Sequence, residues 1–354
     1  MYTKNEPLEE LVREIEIRDS FKKDYIVSPG RLVADVENDR PIITYDGLGT
    51  SLQVSEVANQ QIGNWSPVGT RYAREMMDQC PDLWCTNMNY WFNEKANTRN
   101  RMLRTVQGDT VPQLRAFLSS RYGRYEDIHL LQTVLEKVHD KDWKVLQCGI
   151  TDRGMHVRVI FPKMQGEIVP GDEIGAGCSF INSEVGFRKW KTEFFTFQSY
   201  CMNGMIFGKQ FVAGYHRKHI TAEQPAEVMS ASTLALDDTI LRQEVINALD
   251  SMEDSKKFNM LLDGMRESTK VIPADVVGTS IKLAKNAGLT KDETCTLQTN
   301  YISGGDTTLW GLVNALTATA RDIPSLERKT QLEQFAGNIV TTPSTWKGLT
   351  QLAA

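Results

Sequence analysis

Hydrophobic spacing changes twice along the chain. Before about residue 98, apolar residues recur mainly at the three- and four-residue intervals of amphipathic helices, as in Val57, Ala58 and Ile62. From Arg99 the apolar residues tend to alternate with polar ones, which is typical of half-buried strands. Beyond about Thr221 helical spacing returns, broken by prolines and glycines. The pattern therefore predicts three regions, covering residues 1–98, 99–220 and 221–354.

The central region has the pattern of an antiparallel sheet crossed by one helix. We expect a hairpin around the turn at 107–109, then a helix with acids at its start and bases near its end, as the helix dipole favours. Four further strands follow. The helix is predicted over 126–139 and the later strands over 143–150, 155–161, 174–181 and 190–200.

The predicted fold class is therefore α+β. A central, mostly antiparallel sheet with a crossing helix would be flanked by an N-terminal helical region and by a C-terminal region of four or five helices. The cuts near residues 98 and 221 are the best domain boundaries that the sequence offers. One interlocked unit is equally consistent with a chain of 354 residues.

Composition places the chain among ordinary folded proteins. Apolar residues make up 41% of the sequence and charged residues 24%, which excludes intrinsic disorder. No apolar run approaches the ~18 residues of a membrane helix, and the acidic N-terminus is unlike a signal peptide. The six scattered cysteines indicate reduced thiols. We therefore expect a cytoplasmic protein without a membrane partner.

The net charge of -5 conceals two basic segments. The first spans residues 99–124, has Asp109 as its single acid and uses only arginine as its base. The planar guanidinium group suits bidentate contact with phosphate, so this choice favours an anionic partner. The arginines are Arg99, Arg101, Arg104, Arg115, Arg121 and Arg124.

The second basic segment spans residues 185–220 and interleaves bases with aromatic rings. Cations that follow the backbone and rings that stack on unpaired bases are what a single-stranded nucleic acid requires. The same alternation is also typical of a half-buried strand with rings in the core, and the sequence leaves both interpretations open. The candidate binding residues here are Arg188, Lys189, Trp190, Lys191, Lys209, Arg217 and Lys218.

Signatures of catalysis are mostly missing from the sequence. It has no phosphate loop of the GxxxxGK[ST] form, no GxGxxG before a helix, no GxSxG elbow and no HExxH. Two acidic pairs, at 172–173 and 237–238, remain candidates for a metal-dependent hydrolase, although helix starts and loops explain them as well. The sequence therefore favours a protein without enzymatic activity, and we expect no cofactor and no metal.

Several segments, taken in order, resemble the phage- and plasmid-borne family known as domain of unknown function 932. They extend from about residue 50 to 340. The resemblance implies a mobile-element protein acting in a bacterial cytosol, and it carries no catalytic signature. The segments are 57–63, 117–122, 182–186, 201–205, 217–219 and 310–317.

The first functional hypothesis is a phage or plasmid protein that handles nucleic acid, binding or annealing single-stranded DNA in recombination, as a homo-oligomer. The order of hairpin, helix and antiparallel strands is similar to that of ring-forming annealing proteins, which is fold analogy alone. The hypothesis requires that the two basic segments share one face and that internal carboxylates do not neutralise their arginines. The alternative is a non-enzymatic protein that captures a host factor, such as a defence component, through its acidic flanks and C-terminal helices.

Overall fold

The computed structural model describes residues 7–47, 49–106, 111–123, 125–188, 190–198, 204–207, 231–251 and 253–350. No helix in these ranges is long and apolar enough to cross a membrane. The helices are α1 Leu8–Phe21, α2 Glu56–Trp65, α3 Thr70–Gln79, α4 Pro81–Glu94, α5 Asp127–Asp140, α6 Ala231–Asp250, α7 Ser255–Ser268, α8 Val276–Asn286, α9 Lys291–Gly304, α10 Leu309–Arg321, α11 Leu326–Thr341 and α12 Pro343–Thr350.

The strands form two sheets, and with the helices around them they confirm the α+β class. Sheet A has the strand order β1-β5-β6-β4-β3-β2, and sheet B has the order β11-β10-β9-β8-β7. The strands are β1 Lys23–Val27, β2 Val33–Glu37, β3 Arg40–Thr44, β4 Leu52–Val54, β5 Arg101–Val106, β6 Gln113–Ser119, β7 Lys144–Thr151, β8 Gly154–Glu167, β9 Glu173–Asn182, β10 Lys191–Gln198 and β11 Gly204–Ile206.

Sheet A takes strands from both sides of residue 98. β5 pairs with β1 and β6, both antiparallel, while β6 pairs with β4 in parallel. Helices α2, α3 and α4 cover one face of the sheet and bury Trp84, whose indole N–H donates to the Asn59 side chain at 2.8 Å. The predicted cut at 98 therefore passes through a continuous sheet.

Sheet B is wholly antiparallel and forms the larger core with α5 and the C-terminal helices. Two glycines of β9 let aromatic rings from β10 lie close to the sheet. A Cβ atom at Gly177 would meet the Phe195 ring at 2.9 Å, and one at Gly175 would meet the Phe197 ring at 2.5 Å. A side chain at either position would displace its ring.

Most predicted elements of the central region are confirmed. The hairpin is β5–β6, the crossing helix is α5, and the four later strands are β7 to β10. The predicted turn at 107–109 lies outside the described residues. The region before residue 98 is mainly helical, as predicted, and it also contains four short strands. One expectation was wrong, since the C-terminal region has seven helices in its described part rather than four or five.

Candidate nucleic-acid interface

The segment after β9 connects the two basic regions of the sequence. Its Val185 packs in a small apolar cluster with Met102 and Leu118 of the hairpin and with Val57 of α2. The Val185 carbonyl accepts a 2.6 Å hydrogen bond from Gln61, whose side-chain oxygen accepts in turn from the Phe117 backbone N–H at 2.7 Å. The start of the second basic segment is therefore packed directly on the hairpin that holds the first.

Glu184 lies at the centre of this junction. Its carboxylate accepts from the Arg115 guanidinium at 2.9 Å, from the Asp127 backbone N–H at 2.9 Å and from the Lys22 ammonium at 3.3 Å. The Lys22 ammonium also reaches Glu126 at 2.7 Å. Glu184 is buried, and its charge is balanced by groups from three distant parts of the chain.

Arg104 extends the same network from β5. Its Nε donates to Asp24 at 2.9 Å and one terminal nitrogen to the Glu184 carbonyl at 2.9 Å. The other terminal nitrogen donates to both oxygens of Glu126, at 2.7 and 3.0 Å. All three nitrogens of the guanidinium group are therefore satisfied by groups inside the protein.

The assignment of Arg104 and Arg115 to a nucleic-acid surface is corrected by these contacts. Arg104 is 2% exposed and Arg115 is 8% exposed, and both are paired with buried carboxylates. A bound strand cannot reach either guanidinium group. Instead, the two arginines join sheet A to the chain segments that carry Glu126 and Glu184. Leaving either charge unpaired at these buried positions would be strongly destabilising.

The junction shifts the ionisation of its carboxyl groups in opposite directions. Burial alone would raise the pKa of Glu184, but Arg115, Lys22 and Arg104 together hold it well below its usual range. Burial and then the Glu184 charge raise the pKa of Asp127 to about 8. The Asp127 carboxyl accepts a 2.8 Å hydrogen bond from Asn182 and has no cation paired with it among the described ion pairs. At neutral pH Asp127 therefore keeps its proton.

Other arginines of the first segment do reach the surface, at one end of the hairpin. Arg99 and Arg121 are exposed. A hydrogen bond of 3.3 Å from the Ser120 N–H to the Asn100 carbonyl joins the two chain stretches that carry them. Arg101 is partly buried, with its guanidinium carbon 4.8 Å from the centre of the Phe117 ring. The three arginines lie at one end of the hairpin, where β5 begins and β6 ends.

The second basic segment supplies the Phe187 ring and the Arg188 cation near that end of the hairpin. Phe187 is half-buried, and the Arg153 guanidinium lies over its ring at 4.8 Å. Tyr122 donates its hydroxyl to the Ser183 carbonyl at 3.0 Å, which connects this segment to the stretch that follows β6. Arg188, one residue beyond Phe187, is half-exposed. Arg153 was not predicted as a binding residue, because it lies in a predicted tight turn between the basic segments.

Most of the described rings of the second segment pack inside the protein. Trp190 is 0% exposed and packs near Tyr125, and Phe194 and Phe195 are fully buried. The core interpretation of these rings is therefore correct, and Trp190 cannot stack on a base. Lys191 keeps 39% of its side chain exposed and lies 3.6 Å from Glu193.

Five predicted binding residues lie outside the described part of the chain. They are Arg124, Lys189, Lys209, Arg217 and Lys218.

Among the described residues, no group of three or more histidine, cysteine, aspartate or glutamate side chains has metal-binding geometry. Asp172, from one of the candidate acidic pairs, accepts hydrogen bonds from Gln198 at 2.9 Å and from the Trp310 indole at 2.8 Å. It therefore has a structural role, connecting sheet B to α10.

The fold defines a class, an α+β protein of two sheets joined by a buried ionic junction. Comparison with known proteins goes no further, since no family model, no curated protein and no solved structure matches the chain. Three segments on which the sequence resemblance depends do meet at the junction, namely 57–63, 117–122 and 182–186. The family resemblance itself stays a prediction.

Proposed function

We propose that this chain is a nucleic-acid-handling protein of a phage or plasmid that binds single-stranded DNA, in the manner of an annealing protein and without catalytic turnover. In this proposal it acts in the bacterial cytoplasm as a homo-oligomer. The binding surface is the end of the hairpin with Arg99, Arg101 and Arg121, together with the adjoining segment that carries Phe187 and Arg188.

The observation that carries the proposal is the packing of the second basic segment on the first. Val185 and Phe187 belong to the same small apolar cluster as Met102 and Leu118, so the segment that carries Arg188 packs against the hairpin that carries the first basic segment. Exposed arginines bind phosphates, and a half-buried ring such as Phe187 offers a base one stacking face. The buried Arg104 and Arg115 bond Glu184 and so hold the segment after β9 against the hairpin.

Fluorescence anisotropy with a labelled single-stranded oligonucleotide tests the proposal. Replacing Arg99 and Arg121 together by glutamate should weaken binding by about tenfold or more at low salt, because two attractive interactions with phosphates become repulsive. For a single strand, the slope of log affinity against log salt should also fall by about 0.7 for each phosphate that the protein no longer neutralises.

The matched control replaces Arg71 and Arg74 by glutamate. These residues are exposed on α3, which covers the opposite face of sheet A, and the change in net charge is the same. This control should bind DNA like the unmodified protein. Equal binding by both double variants, with both folded, would overturn the proposed surface. The mass of the protein with and without oligonucleotide then measures whether DNA drives assembly, as annealing requires.

The second candidate function, capture of a host protein, is favoured by exposed apolar side chains on the C-terminal helices. Val277 and Ile281 lie one turn apart on α8 and are 58% and 51% exposed, and Ile272 just before α8 is 68% exposed. Exposed apolar groups so close together are typical of protein-binding surfaces.

A pull-down from nuclease-treated host lysate separates the two candidates. A captured protein that disappears when Val277 and Ile281 are changed to lysine, and is retained by the Arg99 and Arg121 double variant, supports host-factor capture. Recovery that disappears on nuclease treatment favours the nucleic-acid function.

A further inference from the structure

One face of sheet B carries a buried polar cluster that lies apart from the junction. Arg158 on β8 pairs with Glu333 on α11, with guanidinium nitrogens 2.5 and 3.2 Å from the two carboxylate oxygens. Gln334 donates to Glu193 on β10 at 2.6 Å. These contacts fix α11 across the sheet on the face that bears Arg158 and Glu193.

His156 is on the same face, two residues before Arg158 on β8. It is 2% exposed, and the backbone of Gly149, opposite it on β7, hydrogen-bonds the imidazole. Its Nε2 atom is buried and has no hydrogen-bond partner. A buried polar atom without a partner is destabilising and calls for an explanation, such as a ligand that completes the site.

The groups that surround His156 are mainly cationic. Lys329 lies one turn before Glu333 on α11. Its positive charge, together with those of Arg158 and Arg188, lowers the pKa of His156. Lys329 is half-buried, and no described side chain forms an ion pair with its ammonium group. Burial is the largest cause that lowers the pKa of Lys329. Among the nearby charges, Glu333 raises this pKa and Arg158 lowers it.

The acids of this face are already engaged by other groups. Glu333 is engaged by Arg158, and Glu193 is engaged by Gln334 and lies beside Lys191. Lys191 is two strands away from His156, about 10 Å across the sheet, and marks the open edge of the face. Burial first, and then the three cations, lower the pKa of His156 to about 4, so the imidazole is neutral at pH 7.

We propose that this cluster binds a phosphate monoester group between β8, the segment before β10 and α11. Lys329 and Arg188 would neutralise the anion, while His156 Nε2 accepts a hydrogen bond from the phosphate's own hydroxyl. The site shares Arg188 with the proposed DNA surface, while its other residues, His156 and Lys329, lie outside that surface.

The neutral imidazole determines which anions fit. Its Nδ1 is the atom left to bond Gly149, so Nε2 carries a lone pair and requires a donor. A phosphate monoester has a second pKa near 6 and still carries a proton in part of the population at neutral pH. Sulfate and the internal phosphodiesters of a nucleic acid carry no such proton. The site should therefore prefer inorganic phosphate, a nucleotide or a 5′-phosphorylated strand end.

Isothermal titration calorimetry of the full chain with inorganic phosphate, at pH 6.5 and constant ionic strength, tests this proposal. Phosphate should bind saturably and sulfate about tenfold or more weakly, as expected for one missing hydrogen bond to a buried group. The Lys329→Met variant should bind phosphate about tenfold more weakly, since a charge-assisted hydrogen bond is removed. The control Lys270→Met, at an exposed lysine paired with Glu267, should bind like the unmodified protein.

Two further ligands separate the possible sources of the phosphate. A 5′-phosphorylated oligonucleotide that binds more tightly than its 5′-hydroxyl counterpart, with no such difference in Lys329→Met, assigns the site to strand ends. Binding of thymidine monophosphate without any preference for phosphorylated ends assigns it to free nucleotides. Absence of saturable phosphate binding, equal affinity for sulfate, or equal behaviour of the Lys329→Met and Lys270→Met variants would overturn the proposal. The Arg99 and Arg121 double variant should bind phosphate normally, so the two proposals can fail separately.

Discussion

Arg115 and Glu184 are 69 residues apart in sequence, yet their side chains form a buried ion pair of 2.9 Å between sheet A and the segment that follows β9 of sheet B. Arg104 reaches the same segment through the Glu184 carbonyl. A basic segment of the sequence is thereby divided into internal and external arginines. The internal pair positions the segment from which Phe187 and Arg188 project.

Glu184→Gln should destabilise the fold by about 3 kcal/mol, because it leaves Arg115 buried and without a carboxylate while the shape of the side chain is kept. Urea unfolding followed by circular dichroism measures the change in the free energy of unfolding. The control Glu173→Gln, at an exposed acid at the start of β9, should change this free energy by less than about 0.5 kcal/mol. An equal effect of both substitutions would show that the junction contributes little to stability.

Asp127 should make the protein less stable as pH rises. Its pKa is about 8 in the folded protein against an ordinary value of 3.8, so between about pH 4 and 8 the folded chain keeps a proton that the unfolded chain releases. Stability from this group is therefore complete below pH 4, declines with rising pH and is lost above about pH 8.

The Asp127→Asn variant should lack this contribution. Its free energy of unfolding, relative to the unmodified protein, should increase between pH 5 and pH 9 by about 4 kcal/mol, since about three pH units separate pH 5 from the folded pKa. The free energy of unfolding of this variant should still fall somewhat with rising pH, because burial also raises the pKa of Glu126. Urea unfolding at pH 5, 7 and 9 provides the comparison, and parallel pH profiles for the two proteins would contradict a proton on Asp127.

Gly177→Ala should destabilise sheet B by at least about 2 kcal/mol. The new methyl group would collide with the Val159 carbonyl oxygen and lie 2.9 Å from the Phe195 ring, and neither can move freely inside a packed sheet. Gly348→Ala is the control, since no atom lies within 4 Å of its added Cβ, and alanine in α12 should be neutral or mildly stabilising. Thermal unfolding of the two variants distinguishes them.

The cysteines should divide into two reactivity groups. Cys80 and Cys295 are exposed, while Cys85, Cys148 and Cys178 are buried. Burial raises the pKa of Cys85 to about 11, which also keeps it in the unreactive thiol form. In a Cys201→Ala background, a thiol reagent should modify two cysteines rapidly in the folded protein and five in urea. Fast modification of a third cysteine in the folded protein would contradict this packing.

The order of elements in the central region follows from local pattern. In β8, Met155, Val157 and Val159 alternate with polar residues, and α5 has a regular apolar face. Sequence reasoning predicted β3, as a short strand at 41–45, and missed β11, whose three residues are all buried. It also missed β1, β2 and β4, which contain five, five and three residues. So short a strand, with one of its faces exposed, has too few apolar positions to show a period of two.

The buried junction was not predictable in the same way. Alternation placed Arg104 on a strand face beside Met102, and an arginine in that pattern normally faces water. In the structure both faces of β5 are covered, one by helices α2–α4 and the other by the segment that begins 80 residues after Arg104. The local spacing of apolar residues cannot predict that a segment so far along the chain packs over this strand. Glu184, which accepts hydrogen bonds from both arginines, was singled out in the sequence only as part of the segment 182–186 that carries the family resemblance.

The contact between Arg158 and Glu333 also fixes the timing of folding during synthesis. The two residues are 175 positions apart, so at 5–20 residues per second a ribosome makes the glutamate about 10–35 s after the arginine. Throughout that interval the nascent sheet presents an uncovered polar face with a cation that has not met its partner. The polar face of sheet B is therefore completed only after α11 has been made.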